Sequence, residues 1–232
     1  MKIAEGYRRI MEIQGIPLGE LPVISEKLET ANGQIDKGHS GQYLQLAIGL
    51  PLSNSKQDFE DGELKTTGLW NNLTKESIKI ATFEHLLPGM HTNLTWEKTE
   101  VFKKIRNFLL VPCVKSSKNW KDWSFEKPIW VSSDIQKHLY SYFEEDYYSI
   151  SKHVVKEISQ ARMLHTTTGP NKFLQIRTGD NKPYTPVFYG ETQYSNKRMA
   201  IFFTNRFVRD LVNLHRGTSS PRSVAPDSYK YT

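Results

Sequence analysis

The run of this 232-residue chain with the clearest chemical potential is Gln57-Asp58-Phe59-Glu60-Asp61-Gly62-Glu63-Leu64-Lys65-Thr66. In an extended chain, Glu63 and Lys65 project from one face while Leu64 faces the other, toward a core. The pair Asp61-Gly62 is a turn signal, so a hairpin is expected over 57–67. Such a turn folds Asp58 back beside Glu63 and brings two carboxylates and one ammonium together. Two carboxylates can hold Mg²⁺ and leave positions open for water and substrate. A cation held there polarises a phosphoryl oxygen and acidifies a bound water. Lys65 is then placed to orient that water or to stabilise charge developing on phosphorus. The same residue types also suit an exposed ion pair across a hairpin, and the pattern alone leaves both readings open.

Other catalytic patterns are missing from the sequence. There is no Gly-x-Gly-x-x-Gly, no P-loop and no His-Glu-x-x-His. The seven histidines (His39, His85, His91, His138, His153, His165 and His215) show no metal-ligand spacing. The one cysteine, Cys113, permits neither an internal disulfide nor a zinc cage. Between Pro112 and Val114 it reads as a buried, inert thiol.

Charge is distributed unevenly. The formal net charge is +6, from 31 Lys+Arg and 25 Asp+Glu. Residues 97–127 carry +4 and residues 156–222 carry +7, whereas 129–155 carry −2. Asp58, Glu60, Asp61 and Glu63 form a dense acidic island facing only Lys56. An acidic island in a basic chain fits an enzyme that attracts a polyanion and cuts it with a divalent cation. Hydrophobic residues make up 38% and aromatics 12%, too aromatic for a disordered chain and too polar for a membrane protein. No apolar run approaches the ~20 residues of a membrane span, and the charged opening Met1–Ile13 is no signal peptide. The expectation is a cytoplasmic protein of a reducing compartment, with no membrane partner.

The elements that must position these residues can be read from periodicity. Ile3, Tyr7, Ile10 and Met11 predict a helix over 3–13, ended by Gly15 and Pro17. A short helix is expected at Gly19-Glu20-Leu21, and Ser25 is a candidate cap. Residues 37–41 read as a turn before a helix carrying Tyr43, Leu44, Ala47 and Ile48. A loop at 50–54, a strand at 78–83 and a helix or strand at 101–110, closed by Pro112, follow. The spacing of Ile135, Leu139, Phe143, Tyr147, Ile150, Val154 and Ile158 predicts a long helix over 133–159. Its expected cap is Ser132 or Ser133, with Asp134 in the first turn. Strands are expected at 173–177 and 199–203, a last helix through Phe207, Leu211 and Leu214, and a disordered tail over 216–232. The fold class is α/β or α+β.

Six ordered segments resemble the MutH family of mismatch-repair endonucleases and the related GATC-cutting type II restriction enzymes. They are Gly15-Ile16-Pro17-Leu18-Gly19-Glu20-Leu21, Lys37-Gly38-x-x-Gly41 and the 57–66 run. Thr95-Trp96-Glu97 with Lys103-Lys104 and Val111-Pro112, then Leu174-Gln175-Ile176-Arg177, and Phe202-Phe203-x-x-Arg206-Phe207 complete the set. Together they reach from about residue 7 to residue 214. The resemblance implies a restriction-endonuclease-like core, with a central mixed sheet flanked by helices. It implies one domain over 1–215 whose two lobes form a cleft for duplex DNA. Asp58 and Glu63 would bind Mg²⁺, with the Leu64 carbonyl as a further ligand, and Lys65 would be the catalytic lysine. Lys37 and Lys104 would contact phosphate near the cut, and Arg177 with its following loop would enter the major groove.

Four departures qualify the resemblance. Gln45 stands where the family has a Glu, and an amide can ligate a metal or orient water without adding charge. The gap from Asp58 to Glu63 is two residues shorter than in the mismatch-repair enzymes. Thr178-Gly179 replace a Pro-Lys pair, leaving Lys182 as a substitute base reader. Phe202 replaces a Tyr, which removes a hydroxyl from adenine recognition. Three functions follow as hypotheses. The first is a Mg²⁺-dependent restriction endonuclease of a GATC-like site, self-associating on DNA where it cuts both strands. The second is a mismatch-repair nicking endonuclease activated by a partner. The third is a catalytically silent DNA-binding module, which Gln45 allows and the intact Asp58, Glu63 and Lys65 set opposes.

Overall fold

A computed structural model describes residues 1–22, 39–52, 57–179 and 184–218, with the backbone alone at residue 39. The predicted cap Ser25, the predicted DNA contacts Lys37 and Lys182, and the tail beyond 218 lie outside the described residues. In chain order the first elements are α1 (Ile3–Ile13), α2 (His39–Ala47), β1 (Glu63–Leu69), β2 (Ile78–Thr82), α3 (Phe83–His91) and α4 (Glu100–Ile105). Then come β3 (Asn107–Val114), β4 (Ser124–Phe125), β5 (Ile129–Ser132), α5 (Lys137–Ser159) and β6 (Thr167–Thr168). The last are β7 (Leu174–Thr178), β8 (Val187–Tyr189), β9 (Thr192–Ser195), β10 (Met199–Phe203) and α6 (Asn205–His215). This is a mixed α and β architecture, as expected. No described helix is long and apolar enough to cross a membrane.

The chain divides into two units. The first comprises Met1–Glu76 and Arg106–Ser132, the second Ser77–Ile105 and Ser133–Thr232. In the first unit β3 is the centre of a mixed four-stranded sheet. It pairs in parallel with β1, from Glu63↔Phe108 to Leu69↔Val114. On its other side it pairs antiparallel with β5 and then with β4. This corrects the predicted hairpin: residues 57–62 form no strand, and β1 does not fold back on them. The reason is the composition of β3. Phe108 to Cys113 are all buried, and a strand this apolar gains most by being paired on both edges inside the core. Asp61-Gly62 still turns the chain, but into a parallel pairing.

Pro112 does not close β3; it lies inside it, opposite Thr67. The Pro112 carbonyl accepts from the Glu126 amide, so its nitrogen faces the gap where β5 has ended at Leu110 and β4 has yet to begin at Cys113. No ladder bond is lost there, which is why a central strand tolerates it. α1 forms as predicted, but its buried face is Ile3, Gly6 and Ile10, while Met11 is 37% exposed. α2 begins at His39, so 39–41 of the expected turn are helix, residues 37 and 38 lying outside the described residues, and Tyr43, Leu44 and Ile48 join the core.

The second unit holds an antiparallel sheet in the order β2-β10-β7-β6, which the sequence did not announce as a separate sheet. The ambiguous stretch 101–110 is both things in succession, α4 and then the start of β3. α5 starts at Lys137 with Gln136 at its cap, four residues later than predicted. Ser132 belongs to β5, and Ile135, 70% exposed, lies in the intervening turn. The ladder to β3 holds 129–132 extended, and residues 133–135 then turn the chain before the helix starts. Leu139, Phe143, Tyr147, Ile150, Val154 and Ile158 are buried along one stripe. The Phe143 ring meets Phe173, Phe203 and Phe207 at centroid distances of 5.3–6.0 Å. Thr204 caps α6 by accepting from the Phe207 amide. The sequence reading missed α3, which has Pro88 inside it, and the β8–β9 hairpin turning at Gly190 with φ +59°.

Candidate active site

Within the first unit, α2 supplies Gln45, the bend at 57–62 supplies Asp58, and β1 supplies Glu63, Leu64 and Lys65. Gln45 Nε2 donates to Asp58 Oδ1 at 2.6 Å. The Leu64 amide donates to Asp58 Oδ2 at 2.9 Å. Lys65 Nζ donates to Glu63 Oε2 at 2.6 Å, with the Glu63 side chain 4% and the Lys65 side chain 16% exposed. The strand alternation therefore does what the residue spacing requires, and the pair is not an exposed surface contact. A strand residue directs its N–H and C=O to the same edge. Leu64 aims its N–H at Asp58, away from β3, so its carbonyl is directed to that same open edge.

Burial pushes the Asp58 carboxyl above the ordinary aspartate range. The Leu64 amide and the Lys65 ammonium pull it down, and the neighbouring Glu63 carboxylate pushes it up. Two carboxylates thus confront each other beside one ammonium. That is an electrostatic situation a cation relieves. The available donors are hard oxygens: two carboxylates, a backbone carbonyl and, after rotation, the Gln45 amide oxygen. They fit Mg²⁺, which is bound through one or two carboxylates plus waters. Among the described residues no group of three or more His, Cys, Asp or Glu side chains is arranged for a metal, so no cage of protein ligands competes with that fit. Cys113 is fully buried with its thiol pushed up to about 12 by burial, the inert group expected.

The remaining predicted residues belong to the second unit. Lys104 lies half-buried on α4. Arg177 is an exposed residue of β7. Its guanidinium lies 5.5 Å from the Phe202 ring centre on β10, and Nη1 donates to Ser77 Oγ at 3.3 Å. Thr178 ends β7, and the Gly179 amide donates to the Arg198 carbonyl at 2.9 Å. Phe202 is thus a platform under the arginine rather than an isolated aromatic.

Sequence reasoning missed three residues here. Gln175 Nε2 shares Ser77 Oγ with Arg177, at 3.0 Å. Asp146, fully buried on α5, accepts the amides of Asn171, Phe173 and Leu174 at 2.7–2.9 Å. It anchors the turn that launches β7, and a Cβ on Gly169 would sit 2.3 Å from its carboxyl carbon. The signal was present: position 146 falls on the apolar stripe between Phe143 and Ile150, where an acid needs a reason.

Residues 50–139 match the sequence model of the MutH family, described as the DNA mismatch repair enzyme MutH. That segment is similar to the MutH family, and the match supports a MutH-type assignment. The matched stretch contains Asp58, Glu63, Leu64, Lys65 and Lys104, and the two paired strands β1 and β3. The mixed α and β fold with its mixed sheet is consistent with the restriction-endonuclease-like fold of a MutH-type protein, and the match implies a nuclease acting on DNA. Gln45, Arg177 and Phe202 lie outside the matched stretch. No curated protein matches the chain.

Proposed function

We propose that this MutH-type chain is a Mg²⁺-dependent, sequence-specific endonuclease that hydrolyses phosphodiester bonds in duplex DNA, a type II restriction enzyme of a GATC-like site. The observation that carries the reading is the pair of half-locked carboxylates: Asp58 held by Gln45 and Leu64, Glu63 held by Lys65, both at the edge of β1. Asp58, Glu63 and the Leu64 carbonyl would hold the cation. When bound, the cation supplies charge to polarise the scissile phosphate and acidify a water. Lys65 exchanges its bond to Glu63 for one to the attacking water or to a phosphoryl oxygen, so its positive charge follows the charge that develops there. Water oxygen bonds to phosphorus as one ester oxygen leaves; the water's proton passes to solvent, and the leaving oxygen takes up a proton from solvent. In the second unit Arg177, pre-ordered by Phe202 and Ser77, reads a guanine edge, assisted by Thr178, Gly179 and Lys182. Lys37 and Lys104 neutralise phosphates.

The test is incubation of the purified protein with Mg²⁺ and supercoiled plasmid, unmethylated or adenine-methylated at GATC, followed by sequencing of any ends. Discrete double-strand ends at one short site are the expected result, and the methylated arm reads what Phe202 tolerates. Intact binding with no Mg²⁺-dependent cleavage refutes the reading. A second reading is favoured by the matched family itself: a mismatch-repair nicking endonuclease, which would nick slowly alone and faster with a partner ATPase.

A further inference from the structure

We infer that Asn107, the first residue of β3, is a positioning residue that sets the spacing of Asp58 and Glu63 by locking the Asp58-bearing bend to β3 and β5. The inference rests on the cation reading above and names residues that neither the sequence motifs nor the family match single out for a role.

Glu63 is fixed by the β1–β3 ladder, where it lies opposite Phe108, the neighbour of Asn107. Asp58 has no such ladder; beyond its own bonds to Gln45 and the Leu64 amide, its position depends on how the bend 57–62 is tethered. The Asn107 side-chain amide donates to the Asp61 carbonyl at 2.8 Å, and its oxygen accepts from Trp130 Nε1 of β5 at 2.7 Å. An indole N–H can only donate, so Trp130 fixes which end of the amide faces which partner. The NH₂ end must then face Asp61. Trp130 is itself seated against Tyr7 of α1, ring centres 5.9 Å apart.

Other contacts close the bend from the α1 side. The Ile3 amide donates to Asp61 Oδ1 at 2.8 Å, and the Phe59 ring fills the space of the missing Gly6 side chain, where a Cβ would lie 2.3 Å from it. At Gly62 a Cβ would lie 2.6 Å from the Asn107 carbonyl. The bend is therefore pressed against Asn107 on both its backbone and its side chain. One residue of β3 thus sits next to the strand position that fixes one carboxylate and holds the loop that carries the other.

Partners bonded directly to metal ligands typically change metal affinity by about 10–100-fold when removed, and Asn107 acts one bond further out, through the bend that carries Asp58. The experiment uses the full chain and two readouts: Mg²⁺ binding by calorimetry without DNA, and the Mg²⁺ midpoint of plasmid cleavage. Asn107→Ala is expected to weaken Mg²⁺ binding about tenfold or more and to raise the cleavage midpoint equally. Saturating Mg²⁺ should restore most of the rate, which a general loss of structure would not allow. Asn107→Asp keeps the acceptor for Trp130 but turns an oxygen toward the Asp61 carbonyl, so it should be no better than Ala. Trp130→Phe keeps a ring against Tyr7 and frees the amide to rotate, giving a smaller shift of the same kind at unchanged thermal stability. Mg²⁺ affinity within twofold of wild type in Asn107→Ala and Trp130→Phe overturns the inference alone. Wild-type protein that neither binds Mg²⁺ nor cleaves overturns the cation reading on which it rests.

Discussion

Gln45→Glu converts the amide that donates to Asp58 into the acid that the resembled family carries, and its cost can be worked from the geometry. The Gln45 nitrogen lies 2.6 Å from Asp58 Oδ1. A carboxylate in its place faces a carboxylate. If the two relax to about 4 Å apart, repulsion at an effective dielectric of 20 is about 4 kcal/mol. The alternative is to protonate one of them. For a Glu of ordinary pKa near 4.3, taking up a proton at pH 7.5 costs about 4 kcal/mol, and the hydrogen bond then returns. The cheaper route sets the ceiling, and rotation toward solvent lowers it further. The expected destabilisation without metal is about 2–4 kcal/mol, read by urea unfolding at pH 7.5 in EDTA.

A second change makes the argument specific. In Asp58→Asn the new Oδ1 can accept from the Leu64 amide while Nδ2 faces position 45. Gln45 can flip to accept it, so this variant alone should stay within about 1 kcal/mol of wild type. In the double variant the carboxylate introduced at position 45 accepts from the same Nδ2, and most of the Gln45→Glu loss should be recovered, a coupling of about 2 kcal/mol. Adding Mg²⁺ should stabilise Gln45→Glu more than wild type, because a third carboxylate then faces the cation. A Gln45→Glu loss below about 1 kcal/mol in EDTA, or a double variant no better than the single, would refute the reasoning.

Four further outcomes are expected. Lys65→Ala and Asp58→Ala should each abolish plasmid cleavage while duplex binding, read by electrophoretic mobility, survives; full cleavage by either sinks the catalytic assignment. The raised Asp58 carboxyl favours the protonated folded state, so its contribution to stability is present below the ordinary aspartate value and is lost as pH rises through its raised value. Mg²⁺ offsets that loss only when the carboxyl is ionised, so the Mg²⁺-induced rise in Tm should grow from pH 5 to pH 8. Asp146→Ala strips three amides of their acceptor; with the buried Leu174 amide costing about 1–3 kcal/mol and relief of carboxylate desolvation offsetting part, urea unfolding should show a loss of about 2–4 kcal/mol. Arg177→Ala should cost about 1–3 kcal/mol of binding to the cognate site and little elsewhere; a uniform loss on all sequences makes it a phosphate contact.

How much of this was legible in the sequence follows from which interactions are local. Alternation alone puts Glu63 and Lys65 on one face, because a strand's period is fixed by the backbone. The apolar stripe from Leu139 to Ile158 similarly fixes α5. The partner of β1 was not legible: Asp61-Gly62 reads as a hairpin turn, and only the burial of β3, some forty residues on, makes the parallel pairing win. The start of α5 was misjudged because residues 133–135 turn the chain out of β5, and apolar periodicity carries no signal for that turn. Pro112 reads as a terminator until the gap between β5 and β4 is seen. Gln45 could be placed by family resemblance, but its bond to Asp58 depends on how α2 packs against β1. Asn107 and Trp130 left no local signal at all, since one polar residue at a strand start and one aromatic look ordinary until they meet.

The site's charge balance gives Gln45 a physical meaning. Asp58, Glu63 and Lys65 together carry one net formal negative charge, and each of the three has a hydrogen-bond partner. With a Glu at position 45 the same site would carry two net negative charges and one carboxylate with no donor of its own. The amide therefore favours a stable metal-free state at the expense of cation affinity. A cation held as proposed would also compete with Lys65 for Glu63 and would free that ammonium for the chemistry. Under the proposed reading metal entry and lysine release would be one event, so the site would resist metal at low Mg²⁺ and gain both charges together at saturating Mg²⁺.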